Sequence, residues 1–425
     1  MSVHTVGIEK VVPGGDGLGR LPDGRVVFVP FTLPGERVRV RVVAERRSVA
    51  FGSLEDVLEA SPGRRDAPCP HFGECGGCRL QHADPGLQVQ LKTSVLAEIW
   101  RGRVPVEQGC PPGDAFGYRH RVRLHVTPGN RGVGFMRHRS NAVVPVTDCL
   151  LCRPEIRRCI RWLREDFLPR LSPGRWPLRE IRLAMGDGPP VYVLPAFARP
   201  VPVRRLREAL GRSARPASGE WVVAGPGPGA GRAEGPGAGG AALAFRLGPY
   251  RYEADPGGFF QANLPQAGRV LERLGEQFPP SVPALELFCG MGLFTVVWGS
   301  RSPRVVAVEG DRLLRAPFER TLRLNGLGGV TLATSPVEAW LREHRGETPA
   351  FGWLFLDPPR TGLSPEAREL LRGPRPGTLA YLSCDPVTQH RDLVAMAPGA
   401  APRLLFYDFF PNTAHLECLA LLTEF

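Results

Sequence analysis

The chain has 425 residues, 43% of them hydrophobic and 23% charged, which excludes a disordered or collagen-like chain and suggests about two to four domains. No run of about 18 apolar residues occurs, and the opening MSVHTVGIEKVV lacks an apolar signal core, so neither a membrane span nor export is expected and the cytoplasm is the expected location. The net charge of +12 is unevenly spread: residues 1–60 carry 8 basic and 8 acidic groups, 61–216 carry 27 and 13, and 217–425 carry 19 and 21. Such a concentrated excess is the electrostatic footprint of a polyanion-binding surface, nucleic acid first, against the plainer reading of charge for solubility. All basic residues but Lys10 and Lys92 are arginine, a compositional bias, so single arginines are not read as ligands.

Residues 1–60 alternate apolar and polar positions, with Val26–Val29 and Val38–Val43 separated by turn residues such as Pro13-Gly14-Gly15-Asp16-Gly17. Short strands at close spacing predict a small antiparallel barrel. Residues 61–85 are rich in Cys, Pro and Gly and lack periodicity, as in a segment organised around an ion or cluster. Helical spacing covers 87–101, and 115–250 mixes short strands with an arginine-rich helix near 153–170. The run GPGPGAGRAEGPGAGG at 225–240 cannot bury a core and predicts a flexible insertion. From about 251 to 425, short apolar strands alternate with helices, the α/β signature. The predicted division is therefore 1–60, 61–250 and 251–425, an all-β barrel, a central α+β domain and an α/β domain.

Two groups of residues carry chemistry. Cys69, Cys75 and Cys78 put three thiols within ten residues, with Gly76-Gly77 permitting a tight turn. That spacing differs from the two Cys-x2-Cys pairs usual in zinc ribbons, so an iron–sulfur cluster leads, with zinc and metal-free packing as alternatives. His71 and His82 flank the segment and read as turn or RNA-facing residues rather than ligands. In the α/β region, ALELFCGMGLFTVV at 284–297 runs from a strand through a glycine turn into a helix, VVAVEG ends a second strand in Glu309, and WLFLDPPRTG ends a third in Asp357. Gly290-Met291-Gly292 is not a G-x-G-x-x-G fingerprint, so a dinucleotide is disfavoured; a glycine turn with an acid closing the next strand suits a ribose-bearing ligand such as S-adenosylmethionine. The plainer reading is a glycine turn in an ordinary α/β domain.

LFCGMGLFT, LDPPRTG, YLSCDPVT at 381–388 and HLECLALL at 415–422, with C-x5-C-G-G-C upstream, resemble the RNA uracil-C5 methyltransferase family over nearly the whole chain. The branch most similar is the 23S ribosomal RNA 5-methyluridine enzymes with an N-terminal TRAM barrel and an iron–sulfur cluster. The resemblance implies a TRAM (OB-like) barrel, a central iron–sulfur domain and a C-terminal Rossmann-like class I methyltransferase domain. It assigns Cys384 as nucleophile and Glu417 as general base. Gln261, Phe288, Glu309 and Asp357 fall at cofactor-binding positions, with Asp357 facing either cofactor or uracil. It supplies Cys149 as the fourth ligand of a 4Fe–4S cluster, with Cys152 as the alternative. Leu293 and Ser335-Pro336 depart from the family pattern, which usually has Asn and a longer polar side chain at these places.

The chemistry gives its own reason for these groups. Uracil C5 is too weak a nucleophile to attack a methyl sulfonium until a thiolate has added to C6, and a base must later remove the C5 proton. Arg360 follows the Asp-Pro-Pro, where cytosine-C5 enzymes carry a cysteine and amino-directed enzymes an aromatic residue. Cys289 and Cys418 lie in apolar runs and read as core. Tyr118-Arg119-His120-Arg121-Val122-Arg123 and Gly134-Phe135-Met136-Arg137-His138-Arg139 interleave cations with apolar or aromatic residues, suited to single-stranded RNA or to an ordinary exposed sheet face. A stacked uracil shields its C6, so the target must be flipped or lie in a loop. The reading is a monomeric enzyme acting on 23S ribosomal RNA, with a transfer RNA T-loop, or a noncatalytic RNA-binding role, as alternatives.

Overall fold

The computed structural model describes residues 2–46, 48–172, 174–198, 201, 203–210, 220–223, 242–372 and 377–423; the insertion expected at 225–240 lies outside them. The chain divides into two compact units, one of Met1–Gly102, Phe135–Val144 and Phe410–Leu416, the other of Arg103–Gly134, Pro145–Phe409 and Glu417–Phe425.

In the first unit, β1 (Val3–Val11), β2 (Asp16–Arg20), β3 (Val26–Pro30), β4 (Arg37–Arg46) and β5 (Val49–Glu59) close a barrel in the order β1-β2-β3-β5-β4. The RVRVRV of β4 shows why. Val38, Val40 and Val42 enter the barrel core with Val27 and Val29, while the alternate arginines point outward to acids of β5. Arg37 pairs with Glu59 at 3.0 Å, Arg39 with Asp56 at 3.8 Å, and Arg41 with Glu55. These exposed pairs contribute little stability, but they cancel charge and leave the barrel outside the basic excess. Residues 61–84 follow as turns, and α1 (Pro85–Ile99) starts at Asp84, whose carboxylate accepts from Leu87 N. Helix α1 buries Gln88 and Lys92 on its inner face. Lys92 Nζ donates to the Phe410 carbonyl (2.9 Å), and Gln88 accepts from Asn412 N (2.7 Å), so both polar side chains are used to hold the 410–416 segment.

The second unit contains two larger sheets and a hairpin. Strands β7 (Arg121–Val126), β8 (Val133–Met136), β9 (Val143–Pro145), β10 (Leu178–Ala184), β11 (Val191–Phe197) and β12 (Trp221–Val223) lie in the order β12-β11-β10-β7-β8-β9, the chain leaving through β8 and returning through β9. The arginine-rich helix expected near 153–170 is α2 (Pro154–Trp162), continued by a wider turn to Phe167 and a tighter one to Arg170. A further short helix is α3 (Val203–Leu210), and β13 (Leu243–Leu247) and β14 (Tyr250–Ala254) form the hairpin.

The other sheet runs β17-β16-β15-β18-β19-β21-β20-β6, from β6 (Val106–Gln108), β15 (Ala284–Leu287), β16 (Val305–Glu309), β17 (Val330–Thr334), β18 (Trp353–Leu356), β19 (Thr378–Ser383), β20 (Arg403–Phe406) and β21 (Cys418–Thr423). Strands β15 to β19 are parallel, and β21 pairs antiparallel with β19 and β20. All residues of β15 and β18 are buried, as parallel strands covered on both faces require. After β15 the order proceeds through β16 and β17 on one side and resumes with β18 on the other, so β15 and β18 form the switch point where ligand crevices open at the carboxyl ends of strands. Helices α4 (Leu264–Gln277), α5 (Thr295–Gly299), α6 (Arg315–Leu324), α7 (Val337–Glu343), α8 (Pro365–Leu370) and α9 (Pro386–Met396) connect the strands. Among the described residues no helix is long and apolar enough to cross a membrane.

Two sequence expectations are corrected. Tyr118 and His120 are 3% and 5% exposed, and Arg121 turns inward, donating to the Gly258 and Phe260 carbonyls (3.1 and 3.2 Å) and packing on the Phe260 ring. The alternation around β7 is thus not an open stacking surface; its outward residue Arg123 pairs with Glu180 at 2.7 Å. His82 is also interior rather than a surface residue, set beside Phe31 and Phe72, and burial pushes its pKa down to about 4.

Candidate active site

Phe288, Glu309, Asp357 and Cys384 sit at the carboxyl ends of parallel strands of the α/β sheet. Phe288 follows β15 with a left-handed backbone (φ 64°), the first residue of a loop that continues through Gly290 and Gly292, also at positive φ. A Cβ on Gly292 would come 3.0 Å from the Phe318 ring, so this turn needs glycine for its conformation and for packing. Glu309 ends β16 and reaches back to the loop: one carboxylate oxygen accepts from Gly290 N (2.9 Å), the other from Asp311 N (2.7 Å). Ser335 N donates to the Glu309 carbonyl (3.0 Å), and Pro336 starts α7, which puts the atypical Ser335-Pro336 pair next to this acid. Leu293 is buried, with its carbonyl accepting from Tyr252 OH (2.9 Å). Cys289 packs with Ala307 and Phe318, and Cys418 is fully buried, so both are core cysteines as expected.

Gln261 lies on the loop before α4. Arg121 holds this loop through the Gly258 and Phe260 carbonyls, and Asn263 caps α4 while donating to the Phe409 carbonyl (2.9 Å). The neighbouring Phe259 is 66% exposed, an aromatic face left in solvent.

Cys384 and Glu417 are brought together by strand register. Cys384 follows β19, and the antiparallel pairing of β19 with β21 sets Cys418 across from Ser383, which delivers Glu417 beside the thiol. Burial pushes the Cys384 thiol up to about 11, helped by the negative charge of Glu417 and opposed by the Arg360 guanidinium, which also hydrogen-bonds to the thiol. Burial, and then Asp357, drive the Glu417 carboxyl well above the usual carboxylate range, again opposed by Arg360. Asp357 follows β18; protein surrounding its carboxyl raises it to about 7. A thiol, two carboxyls and one cation therefore share a site at three strand ends. The thiol rests protonated at neutral pH and burial shifts the Glu417 carboxyl toward its neutral form, with Arg360 positioned to favour the charged form of each.

Arg360 and a further acid beneath the site, Glu286, escaped the sequence reading. Arg360 was visible only as a residue that excluded other reactions. Glu286, the one acid in the apolar run of β15, is fully enclosed; Trp298 Nε1 donates to it (2.8 Å), and burial pushes its carboxyl up to about 8, with Asp357 and Glu309 adding to the rise. A lone acid within an otherwise apolar strand was the available signal.

The cysteine segment lies in the first unit. Cys69, Cys75 and Cys78 are half-buried and flank the turns at 70–74 and 76–77, and Gly77 N donates to Cys75 Sγ (3.4 Å). Gly76 N donates to the Met136 carbonyl, and a Cβ there would stand 2.6 Å from that oxygen, so the turn requires glycine. Cys149, in the second unit, is half-buried beside the enclosed Cys152, which hydrogen-bonds to it. Among the described residues no three His, Cys, Asp or Glu side chains are gathered as a metal site.

Comparison with known proteins adds an independent finding. A family described as TRAM domain matches residues 2–54, and one described as tRNA (Uracil-5-)-methyltransferase matches residues 339–425. The 23S rRNA (uracil(1939)-C(5))-methyltransferase RlmD of Acidithiobacillus ferrooxidans is 34% identical, covering 97% of this chain and 96% of its own. An uncharacterized RNA methyltransferase of Aquifex aeolicus is 31% identical, covering 98% and 97%. The crystal structure of Pyrococcus abyssi tRNA (uracil-54, C5)-methyltransferase in complex with S-adenosyl-L-homocysteine shares the fold, with a TM-score of 0.75 at 24% identity over 98% of this chain and 99% of that one.

Proposed function

We propose, on the premise that this chain belongs to the RNA uracil-C5 methyltransferase family, that it methylates C5 of a uridine in 23S ribosomal RNA, in the cytoplasm. The observation that carries the reading is the juxtaposition of Cys384 and Glu417 beside Arg360 and Asp357. Bound S-adenosylmethionine supplies an electrophilic methyl group. Cys384, losing its proton to solvent, forms the Sγ–C6 bond and pushes the C5=C6 electrons toward C5 and O4, so that C5 takes the methyl group as the methyl–sulfonium bond breaks and its electron pair stays on the departing sulfur. The Glu417 carboxylate then accepts the C5 proton, and the electrons of that C–H bond restore C5=C6 as Sγ leaves. Arg360 favours the thiolate. Phe288, Glu309, Asp357 and Gln261 hold the cofactor, Glu309 through the ribose hydroxyls.

In this reading residues 1–60 are the RNA-binding barrel, 61–250 the cluster-bearing central domain and 251–425 a Rossmann-like class I methyltransferase domain. Cys69, Cys75, Cys78 and Cys149 would hold a 4Fe–4S cluster whose role is to fold the central domain around RNA, since uracil methylation demands no electron. Support comes from three soft donors within ten residues and the Gly77 N–H directed at Cys75.

The test offers labelled S-adenosylmethionine and, separately, unmodified 23S and transfer RNA transcripts, followed by nucleoside mass spectrometry. 5-Methyluridine in 23S RNA alone is the expected result; product in transfer RNA alone would move the substrate to the T-loop. Loss of product with retained RNA affinity in Cys384→Ala would separate the enzyme from an RNA-binding protein.

A further inference from the structure

The loop that carries Arg360 is fastened almost entirely by one helix. Thr388 Oγ1 donates to the Arg360 carbonyl (3.2 Å), and Arg391 Nη2 to the carbonyls of Thr361 (2.9 Å) and Leu363 (3.3 Å). Leu363 N donates to Asp392 Oδ2 (2.7 Å). Four backbone groups of Arg360–Leu363 thus end on three side chains of α9. That helix starts two residues after Cys384 and is capped by Asp385, which accepts from Val387 N and Thr388 N. The same element therefore fixes the nucleophile and the loop opposite it.

Asp392 is the centre of this arrangement. It is fully buried, and its Oδ2 also accepts from Tyr381 OH (2.9 Å) while its Oδ1 takes Arg391 through Nε (2.9 Å) and Nη2 (2.7 Å), with Arg368 Nη1 at 3.4 Å. An enclosed carboxylate with this many donors is a rigid anchor, because releasing any of them leaves a buried polar group unmade. The fit is close. Gly362, at φ +69°, has no room for a Cβ against Asp392 and Arg391. At the loop's outer end, Arg360 hydrogen-bonds to the Cys384 thiol.

We propose that Asp392 is a positioning residue for methyl transfer: by fixing Arg391 and the 361–363 backbone it holds Arg360 against Cys384, and thiolate attack depends on it although it does not face the substrate. This rests on the reading of Cys384 as nucleophile. Asp392→Asn keeps the size but replaces one acceptor oxygen with an N–H2 that opposes Arg391 or the Leu363 N–H, so the loop loosens without a cavity.

The experiment uses the full-length protein and compares Asp392→Asn, Arg360→Ala and the double variant, measuring kcat and KM for RNA and, by peptide mass spectrometry, the iodoacetamide alkylation rate of Cys384 at fixed pH. Asp392→Asn is expected to lower kcat by about tenfold or more with KM for RNA changed less than about threefold. Alkylation of Cys384 is expected to slow by roughly three- to tenfold, as a smaller thiolate fraction requires. In the Arg360→Ala background the same substitution is expected to have no further effect on either quantity. Losses that multiply in the double variant, or unchanged alkylation, would overturn the proposal. Should Asp392→Asn fail to fold, Thr388→Val removes the hydroxyl that the Arg360 and Asp385 carbonyls share; it should produce a smaller loss that is reduced in the Arg360→Ala background, and full activity there would equally overturn it. Methylation retained in Cys384→Ala would sink the nucleophile assignment instead, while the alkylation rates would still report whether Asp392 sets Arg360.

Discussion

Glu286 offers a stability prediction whose size follows from the structure. Its carboxyl is raised from 4.5 to about 8 by enclosure in β15, so the native protein keeps a proton that the unfolded chain has already lost. For an acid raised in this way, stability declines as pH climbs from the unfolded value through the folded one. Between pH 6 and pH 9 the decline from this residue alone is about 2–3 kcal/mol. Glu286→Gln removes the titration and keeps an oxygen for Trp298 Nε1, with its N–H2 able to meet Thr295 Oγ1, the hydroxyl that faces the carboxyl in the wild type. Thermal melting of both proteins across this pH range should show the variant gaining on the wild type, by roughly 3–5 °C at the unfolding entropy of a unit of about 300 residues. Parallel melting curves would show that Glu286 does not rest protonated, and the electrostatic description of the pocket would fail with it.

Three further predictions concern the chemistry. With its thiol near 11, Cys384 should be only about one part in a thousand thiolate at pH 8, so peptide-resolved alkylation should keep rising with pH up to at least about 10; a plateau near pH 8 would contradict this. Glu417→Gln should form the covalent bond to RNA but fail to release it, so a protein–RNA complex stable in denaturing gels should accumulate, and normal turnover would remove Glu417 from the role of base. Cys69→Ser in anaerobically purified protein should lose bound iron and sulfide and weaken RNA affinity, with iron content and filter binding as the readouts; unchanged iron would exclude Cys69 as a ligand.

Much of the fold was legible because its elements have clear periods. RVRVRV in β4 could hide its valines only as a strand, and the short apolar runs of β15, β16 and β18 read as parallel strands before helices. The strand-end rule then placed the glycine loop, Glu309 and Asp357 at one edge of the sheet without any coordinates, and the family resemblance added Phe288 and Cys384 to it. Periodicity says which residues share a face, however, and not what covers that face. Tyr118 and His120 looked available for RNA yet are buried, and His82 lies in a turn as read but packs with two phenylalanines instead of facing outward. Gln88, Lys92 and Asp392 look like solvent-facing helix positions, and each is buried because a distant loop brings the hydrogen-bonding partners. The meeting of Glu417 with Cys384 depends on the β19–β21 register, which motif resemblance anticipated and local patterning could not.

The most direct test of the central claim uses a 23S RNA fragment carrying 5-fluorouridine, in which the C5 hydrogen that Glu417 must remove is replaced by fluorine. With S-adenosylmethionine present, the account predicts a methylated, denaturation-resistant protein–RNA complex whose linkage maps to the Cys384 peptide. Attachment at another residue, or no complex from protein that methylates the unsubstituted RNA, would contradict covalent catalysis by Cys384.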